Sequence, residues 1–291
     1  MKKMIISFAA LLLFLACEKE IELKQEEVDP RIVVNSIFTQ DDFIWMHLSE
    51  SRDVLYEGEL PIIENAIPKL LDADGNVIGE FTYDWSGLYY CSTVLLEPGT
   101  TYGIRVEAEG LKTVSASSIF PSNITAAVDT MAALDDQLDV TVNFADNASQ
   151  SNFYGISMTY YGTYIDEIGD TVIYQNKRFE TNEFYVANGN SGINGEKYSR
   201  EFLFSDDSFN GQSVNFTGTV DRLNEDEPAG YYLIKLKNLS EDLFKYDLSY
   251  KKYKDSQGNP FAEPVQVHSN ITDGLGIFAG SNAYTDTIWL E

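Results

Sequence analysis

Hydrophobic and polar residues alternate along most of this chain with a period of two. In "YGIRVEAE", Tyr102, Ile104, Val106 and Ala108 fall on one face, and Gly103, Arg105, Glu107 and Glu109 on the other. "LDVTVNF" sets Leu138, Val140, Val142 and Phe144 against Asp139, Thr141 and Asn143, and "YGISMTY" lines up Tyr154, Ile156, Met158 and Tyr160. This alternation predicts strands with one buried face. The first region, residues 31–122, predicts strands near 32–38, 43–48, 68–71, 77–83, 87–92, 101–108 and 113–119. "DADGNVIG" reads as a hairpin turn, because Asp74, Gly75 and Asn76 tolerate positive φ, and "LEPGTTY" reads as another. Such a density of short strands predicts an immunoglobulin-like sandwich.

Pro121-Ser122-Asn123 marks the expected boundary to a second β-rich domain over 123–291. One segment breaks the period. "SEDLFKYDLSYKKYKD" predicts a short helix near 240–254, with Ser240 as N-cap, Glu241 and Asp242 at its positive end and lysines at its negative end. Leu243, Tyr246, Tyr250 and Tyr253 recur at three and four, so one helical face is expected to lie on a sheet. The fold class is therefore mainly β: two β-sandwich domains, immunoglobulin-like or transthyretin-like, with one short helix.

The first residues follow other rules. Lys2 and Lys3 precede an apolar run, Met4 to Ala16, too short for a bilayer span of ~20 residues. Residues 1–16 read as a signal peptide. Leu15-Ala16-Cys17 resembles the end of a bacterial lipobox, although Phe14 stands where Leu or Val is usual. That resemblance makes Cys17 the lipidation site and 17–30 a charged, extended tether. Acyl chains, at about 0.8 kcal/mol per buried CH₂, then hold the membrane.

Composition narrows the partners. The chain carries 46 acidic and 20 basic residues, a net charge of −26. Nucleic acid is excluded as a partner, since binding it requires Lys and Arg against phosphate. With Cys17 acylated, Cys91 is left alone in a strand-like run and reads as a small buried hydrophobe.

Candidate chemistry is sparse. His47 and His268 are a poor basis for zinc, which takes three or four ligands. No G-x-S-x-G elbow occurs, and "DADGN" does not complete a calcium loop. No catalytic residue, metal or cofactor is assigned, and the chain is expected not to be an enzyme. The weak candidates for ligand or partner contact are the tyrosines Tyr160, Tyr161 and Tyr164, which could stack on a sugar or anchor a partner, and the loop acids Asp206 and Asp207.

Two resemblances add to this. "PKLLDADGNVIGEFTYDWSGLYYCSTVLLEPGTTYGIRVEAEG" resembles transthyretin-like or carboxypeptidase-regulatory-like modules. "CEKEIEL", "RIVVNSIFT", "LSEDLFKYDLSYKKY" and above all "GNPFAEPVQVHSNITDGLGIFAG" resemble a Bacteroidota lipoprotein family known as domain of unknown function 4249. That resemblance implies an accessory lipoprotein of a TonB-dependent outer-membrane receptor, lipid-anchored in the outer membrane. The acidic residues after Cys17 resemble a signal for its outer face. A lipidated glycan-binding protein or hydrolase, or a calcium-stabilised adhesive module, stands as the alternative.

Overall fold

A computed structural model describes residues 29–40, 43–53, 56, 58–132, 137–165, 171–176, 195–198, 201–221, 230–259 and 261–289. The expected leader, Cys17 and most of the tether lie outside them, as do Asp41-Asp42, Asp135-Asp136 and Glu225-Asp226-Glu227. Asp29, Asp53 and Tyr56 are the described residues of a small unit (Met1–Asp29, Asp53–Tyr56), in which the Tyr56 N–H donates to the Asp53 carbonyl at 3.1 Å. The larger unit, Pro30–Arg52 with Glu57–Glu291, carries the fold.

The chain is mainly β with one helix. The alternating runs become β1 (Ile32–Phe38), β2 (Ile44–Glu50), β3 (Ile67–Leu71), β4 (Val77–Glu80), β5 (Thr82–Tyr83), β6 (Leu88–Cys91), β7 (Thr101–Glu107) and β8 (Val114–Ile119). Beyond the linker come β9 (Ala126–Ala132), β10 (Gln137–Ala145), β11 (Phe153–Ile165), β12 (Thr171–Asn176), β13 (Gly195–Tyr198), β14 (Glu201–Ser205), β15 (Ser213–Asp221), β16 (Gly230–Leu239), helix α1 (Glu241–Ser256) and β17 (Leu275–Trp289).

One ten-stranded sheet runs in the order β13-β14-β11-β16-β17-β1-β2-β6-β5, with β12 also paired to β11. Two smaller sheets, β4-β3-β7-β8 and β15-β10-β9, complete two sandwiches. The first core holds Ile32, Val34, Met46, Leu70, Ile104 and Phe120, joined from the far end of the chain by Ile271 and Phe278. The second holds Val140, Phe144, Tyr154, Ile156, Phe216 and Leu236, with Ile288 packed against it. Both cores use the even-numbered face of β17, as a strand's period of two requires.

β17 is the shared element. Residues 275–280 pair with β1 in parallel, and residues 281–289 pair with β16 antiparallel. The regions expected at 31–122 and 123–291 thus meet within one sheet. Gly276 permits the join: its φ is 104°, and a Cβ there would overlap the Val34 carbonyl of β1.

Local details follow from composition. The expected strand at 77–83 divides at Phe81, because β4 pairs with β3 in one sheet and β5 with β6 in the other. The buried Phe81 ring sits at the crossing, in the first core. In the β3–β4 turn, the Asp72 carboxylate accepts the Asn76 side-chain amide at 3.0 Å and the Asn76 and Asp74 N–H groups at 2.8 and 3.0 Å, and these bonds, the side-chain one foremost, hold its pKa below the usual value. In the turn before β7, the Tyr102 hydroxyl accepts the Glu97 N–H at 2.8 Å, the tyrosine-corner arrangement of immunoglobulin-like sandwiches.

Helix α1 starts as its sequence predicts, with Ser240 Oγ accepting the Leu243 N–H at 3.3 Å. Its expected apolar face is only partly used. Leu243 is buried with Leu239, Ile277 and Ala279 and Tyr246 packs against the same cluster, while Tyr250 stacks on Tyr246 at 5.9 Å and Tyr253 on Tyr250 at 6.2 Å.

Candidate partner-binding surface

The odd-numbered face of the long sheet is where exposed aromatic rings gather. Register fixes its rows. Tyr161 of β11 pairs with Tyr231 of β16, which pairs with Trp289 of β17. Three adjacent strands therefore each contribute one ring to the same face. The Tyr161 and Tyr231 centroids lie 5.5 Å apart at 18°, and Tyr231 and Trp289 4.8 Å apart at 50°. Tyr161 and Tyr231 are half-buried, and Trp289 is 71% exposed. The next row, Thr159–Leu233–Thr287, is partly exposed throughout. Further along, α1 covers the face, with Phe153 against Phe244 at 4.9 Å.

The same face carries a second cluster in the first lobe. Trp45 of β2 pairs with Tyr90 of β6, their rings 5.4 Å apart, and Phe43 stacks on Tyr90 at 5.8 Å. Phe43 and Trp45 are 50% and 36% exposed. This cluster lies at the hairpin end of β1–β2, opposite the end at which β1 begins with Ile32.

The expected contact residues separate. Tyr160 points into the second core, fully buried, with its ring 5.5 Å from that of Tyr232. It is a packing residue because it is one position out of phase with Tyr161. Tyr164 lies on β11, but its side chain is outside the described residues. Asp206 is 2% exposed and fastens a loop: its carboxylate accepts the Asn152 N–H at 2.8 Å, and its own N–H donates to the Asn152 carbonyl at 3.1 Å. Asp207 accepts the Ser205 hydroxyl at 2.7 Å and lines a cavity of about 370 Å³ with Pro121, Gln150, Asn152 and Glu241. Of the expected set, only Tyr161 and Asp207 face open space among side chains the structure describes. Trp289, Trp45 and Phe43 were not expected; Trp45 shares the parity of His47 and Ser49 in β2, and that phase marks it, whereas Phe43 precedes the strand and β17 carries polar residues at both parities.

A charged cluster lies on the α1 side of the same face. Lys237 Nζ donates to Glu201 Oε2 at 3.0 Å, while Glu201 Oε1 is buried without a partner. Gly155 makes room, since a Cβ there would run into the Glu201 carboxylate. On α1, burial and the nearby Glu201 charge push Asp247 up to about 7. His268 Nε2 lies 2.8 Å from Asp242 Oδ1, and its N–H donates to Ser249 Oγ at 2.8 Å, so the C-terminal string is laced to the helix. Asn270 explains another part of that string: its side-chain amide pairs with the Phe278 N–H at 3.0 Å and carbonyl at 2.7 Å, as a neighbouring strand would. Cys91 is buried, as its strand position predicts. Among the described residues, no group of three or more His, Cys, Asp and Glu is placed to hold a metal, and no helix is long and apolar enough to cross a membrane.

A family model described as domain of unknown function (DUF4249) matches residues 18–287. No curated protein matches the chain. Among solved structures, the collagen-binding domain of Erysipelothrix rhusiopathiae surface protein RspB is 9% identical, with 88% of this chain and 95% of that one covered and a TM-score of 0.23. Collagen adhesin from S. aureus is 8% identical, covering 90% and 95%, at 0.23. A two-domain fibronectin type-III segment from chicken tenascin is 13% identical, covering 72% and 91%, at 0.22.

Proposed function

The chain belongs to the family of domain of unknown function DUF4249, and we propose that it is a non-enzymatic, lipid-anchored binding protein of the outer-membrane surface. In this reading Cys17 is acylated, residues 17–30 form the tether, and the partner is a TonB-dependent receptor engaged in nutrient uptake. Tethering raises the effective concentration of the folded lobes beside the barrel without any new contact.

The observation that carries the reading is the Phe43–Trp45–Tyr90 cluster. Three rings packed at 5.4 to 6.3 Å, with Phe43 and Trp45 left open to solvent over a half-buried Tyr90, are a costly surface for a chain that meets nothing. Aromatic residues of this kind anchor protein–protein contacts. The cluster lies at the end of β1–β2 opposite Ile32, where β1 begins. The charge of −26 favours a basic partner face around that anchor.

The test is recovery of the receptor with the tagged, lipidated protein from mild-detergent extracts of native outer membrane. A stoichiometric TonB-dependent receptor, lost on Trp45→Ala, is expected. A chain recovered alone while the receptor remains in the extract overturns the reading. Cys17→Ala should release the protein from the membrane fraction.

A further inference from the structure

We propose that the cavity beside the linker is a binding site for a small primary amine with a hydrocarbon body. The inference goes beyond receptor binding and uses none of the residues that carry that reading.

Shape supplies the first reason. The cavity, of about 370 Å³, lies where the linker, the segment before β11, the loop after β14 and the start of α1 meet. Small-ligand pockets have volumes of about 300–1,000 Å³ and combine apolar wall with a few placed polar groups. Here Ile119, Pro121, Phe153 and Leu239 supply the apolar wall, which suits a short hydrocarbon body.

Unfilled acceptors supply the second. Asn238 lines the cavity and is only 6% exposed. Its Nδ2 donates to the Ser122 carbonyl at 3.2 Å, but no described residue donates to its Oδ1. A buried polar atom without a partner is costly, so a ligand that donates to it gains by filling it. The other buried amide of the wall, Asn152, shows the contrast. Its Nδ2 donates to the Asn147 and Gln150 carbonyls, both at 2.9 Å, and its Oδ1 accepts Gln150 Nε2 at 3.1 Å. Asp207 adds a second open acceptor: its Oδ2 accepts the Ser205 hydroxyl at 2.7 Å, and no described residue donates to its Oδ1.

Charge decides the kind of donor. Asp207 and Glu241 are the charged groups of the wall, and none of its ten residues, all of them described, is basic. Glu241 also meets Lys245 Nζ at 2.7 Å, but exposed pairs of this kind contribute little, so the carboxylate can be shared. The positive end of α1, which would favour an anion, is capped by Ser240 Oγ and offset by Glu241 and Asp242 in the first turn. An ammonium group brings what the wall lacks, three N–H donors and a positive charge.

The experiment uses the lipidated full chain in mild detergent. It is titrated calorimetrically with phenethylamine, tyramine, isoamylamine and cadaverine, and with 2-phenylethanol and 3-phenylpropionate as neutral and anionic counterparts. Saturable one-to-one binding of at least one amine is expected, at least tenfold tighter than that of either counterpart. It should weaken at least tenfold in Asp207→Asn, which keeps an oxygen for the Ser205 hydroxyl. It should be unchanged in Glu263→Gln, an exposed acid that does not line the cavity. Near-UV circular dichroism confirms that the variants keep their packing. Binding of none of the four amines overturns the proposal, as does binding unchanged in Asp207→Asn or a counterpart that binds equally well. Calcium that binds with the same dependence on Asp207 overturns it in favour of a metal site. Asp207→Asn should leave receptor recovery intact, and Trp45→Ala should leave amine binding intact, so the two readings fail separately.

Discussion

Asn238 and Asn282 face each other across the β16–β17 pair, and both turn their side chains onto the linker between the two lobes. Asn238 Nδ2 donates to the Ser122 carbonyl at 3.2 Å. Asn282 Nδ2 donates to the Pro121 carbonyl at 3.1 Å and to Asn123 Oδ1 at 2.8 Å. Both residues are nearly inaccessible, at 6% and 3% exposure. The linker is therefore held by directed bonds rather than by apolar contact.

The Asn282→Ala substitution leaves a buried carbonyl without its donor, at a cost of about 1–3 kcal/mol. Urea denaturation should show a lower midpoint in Asn282→Ala. Asn123→Ala, which removes one exposed partner only, should shift it far less. Equal midpoints in wild type and Asn282→Ala contradict this account of the linker.

Asp247 makes stability depend on pH. Its folded pKa, about 7, lies above the ordinary 3.8. The unfolded chain thus releases this proton first, and the stabilisation is complete only below about pH 4. It is lost as pH rises to about 7, where Asp247 and Glu201 share Lys237 as ionised neighbours. Asp247→Asn keeps a neutral side chain at every pH. Its denaturation midpoint should exceed that of wild type at pH 8 and approach it near pH 4. A difference that does not vary with pH contradicts the assignment.

Gly276 is irreplaceable for two reasons at once, a φ of 104° and the overlap of any Cβ with Val34 of β1. Gly258 has a φ of 82° with nothing within 4 Å of a Cβ. Gly258→Ala should cost only the local left-handed penalty, about 1–2 kcal/mol. Gly276→Ala must in addition part β17 from β1, and should cost about 4 kcal/mol or more. Comparing thermal midpoints of the two variants tests the join between the lobes.

Tyr154 donates its hydroxyl to Asp146 Oδ1, and Asp146 Oδ2 accepts the Gly211 N–H at 2.6 Å. Burial, with Asp146 beside it, raises the Tyr154 pKa well above the ordinary 10.0. Tyr154→Phe should cost about 1.5–3 kcal/mol, the range for a hydrogen bond to a charged group. Absorbance titration near 295 nm should show fewer tyrosines ionising before alkaline unfolding than after it, and Tyr154→Phe should make that difference smaller by one. A titration that completes in the folded protein contradicts the burial.

The sequence by itself determined the local order of this protein. Period-two alternation located β1 and β7 closely, because a side chain's parity on a strand is set by geometry alone. Ser240, Glu241 and Asp242 announced the helix, since capping and the helix dipole act within one turn. The turns at Asp72–Asn76 and before Tyr102 were readable because their hydrogen bonds span only a few residues. Partnership between strands was a matter for the tertiary structure. Nothing near Leu275 states that it will meet Val33 of β1, or that one strand will serve two cores. The aromatic row has the same origin. Tyr161, Tyr231 and Trp289 are ordinary strand residues until three separate registers align them. Tyr160, adjacent in sequence and identical in type, is buried because the choice of core face belongs to the whole sheet and not to the residue.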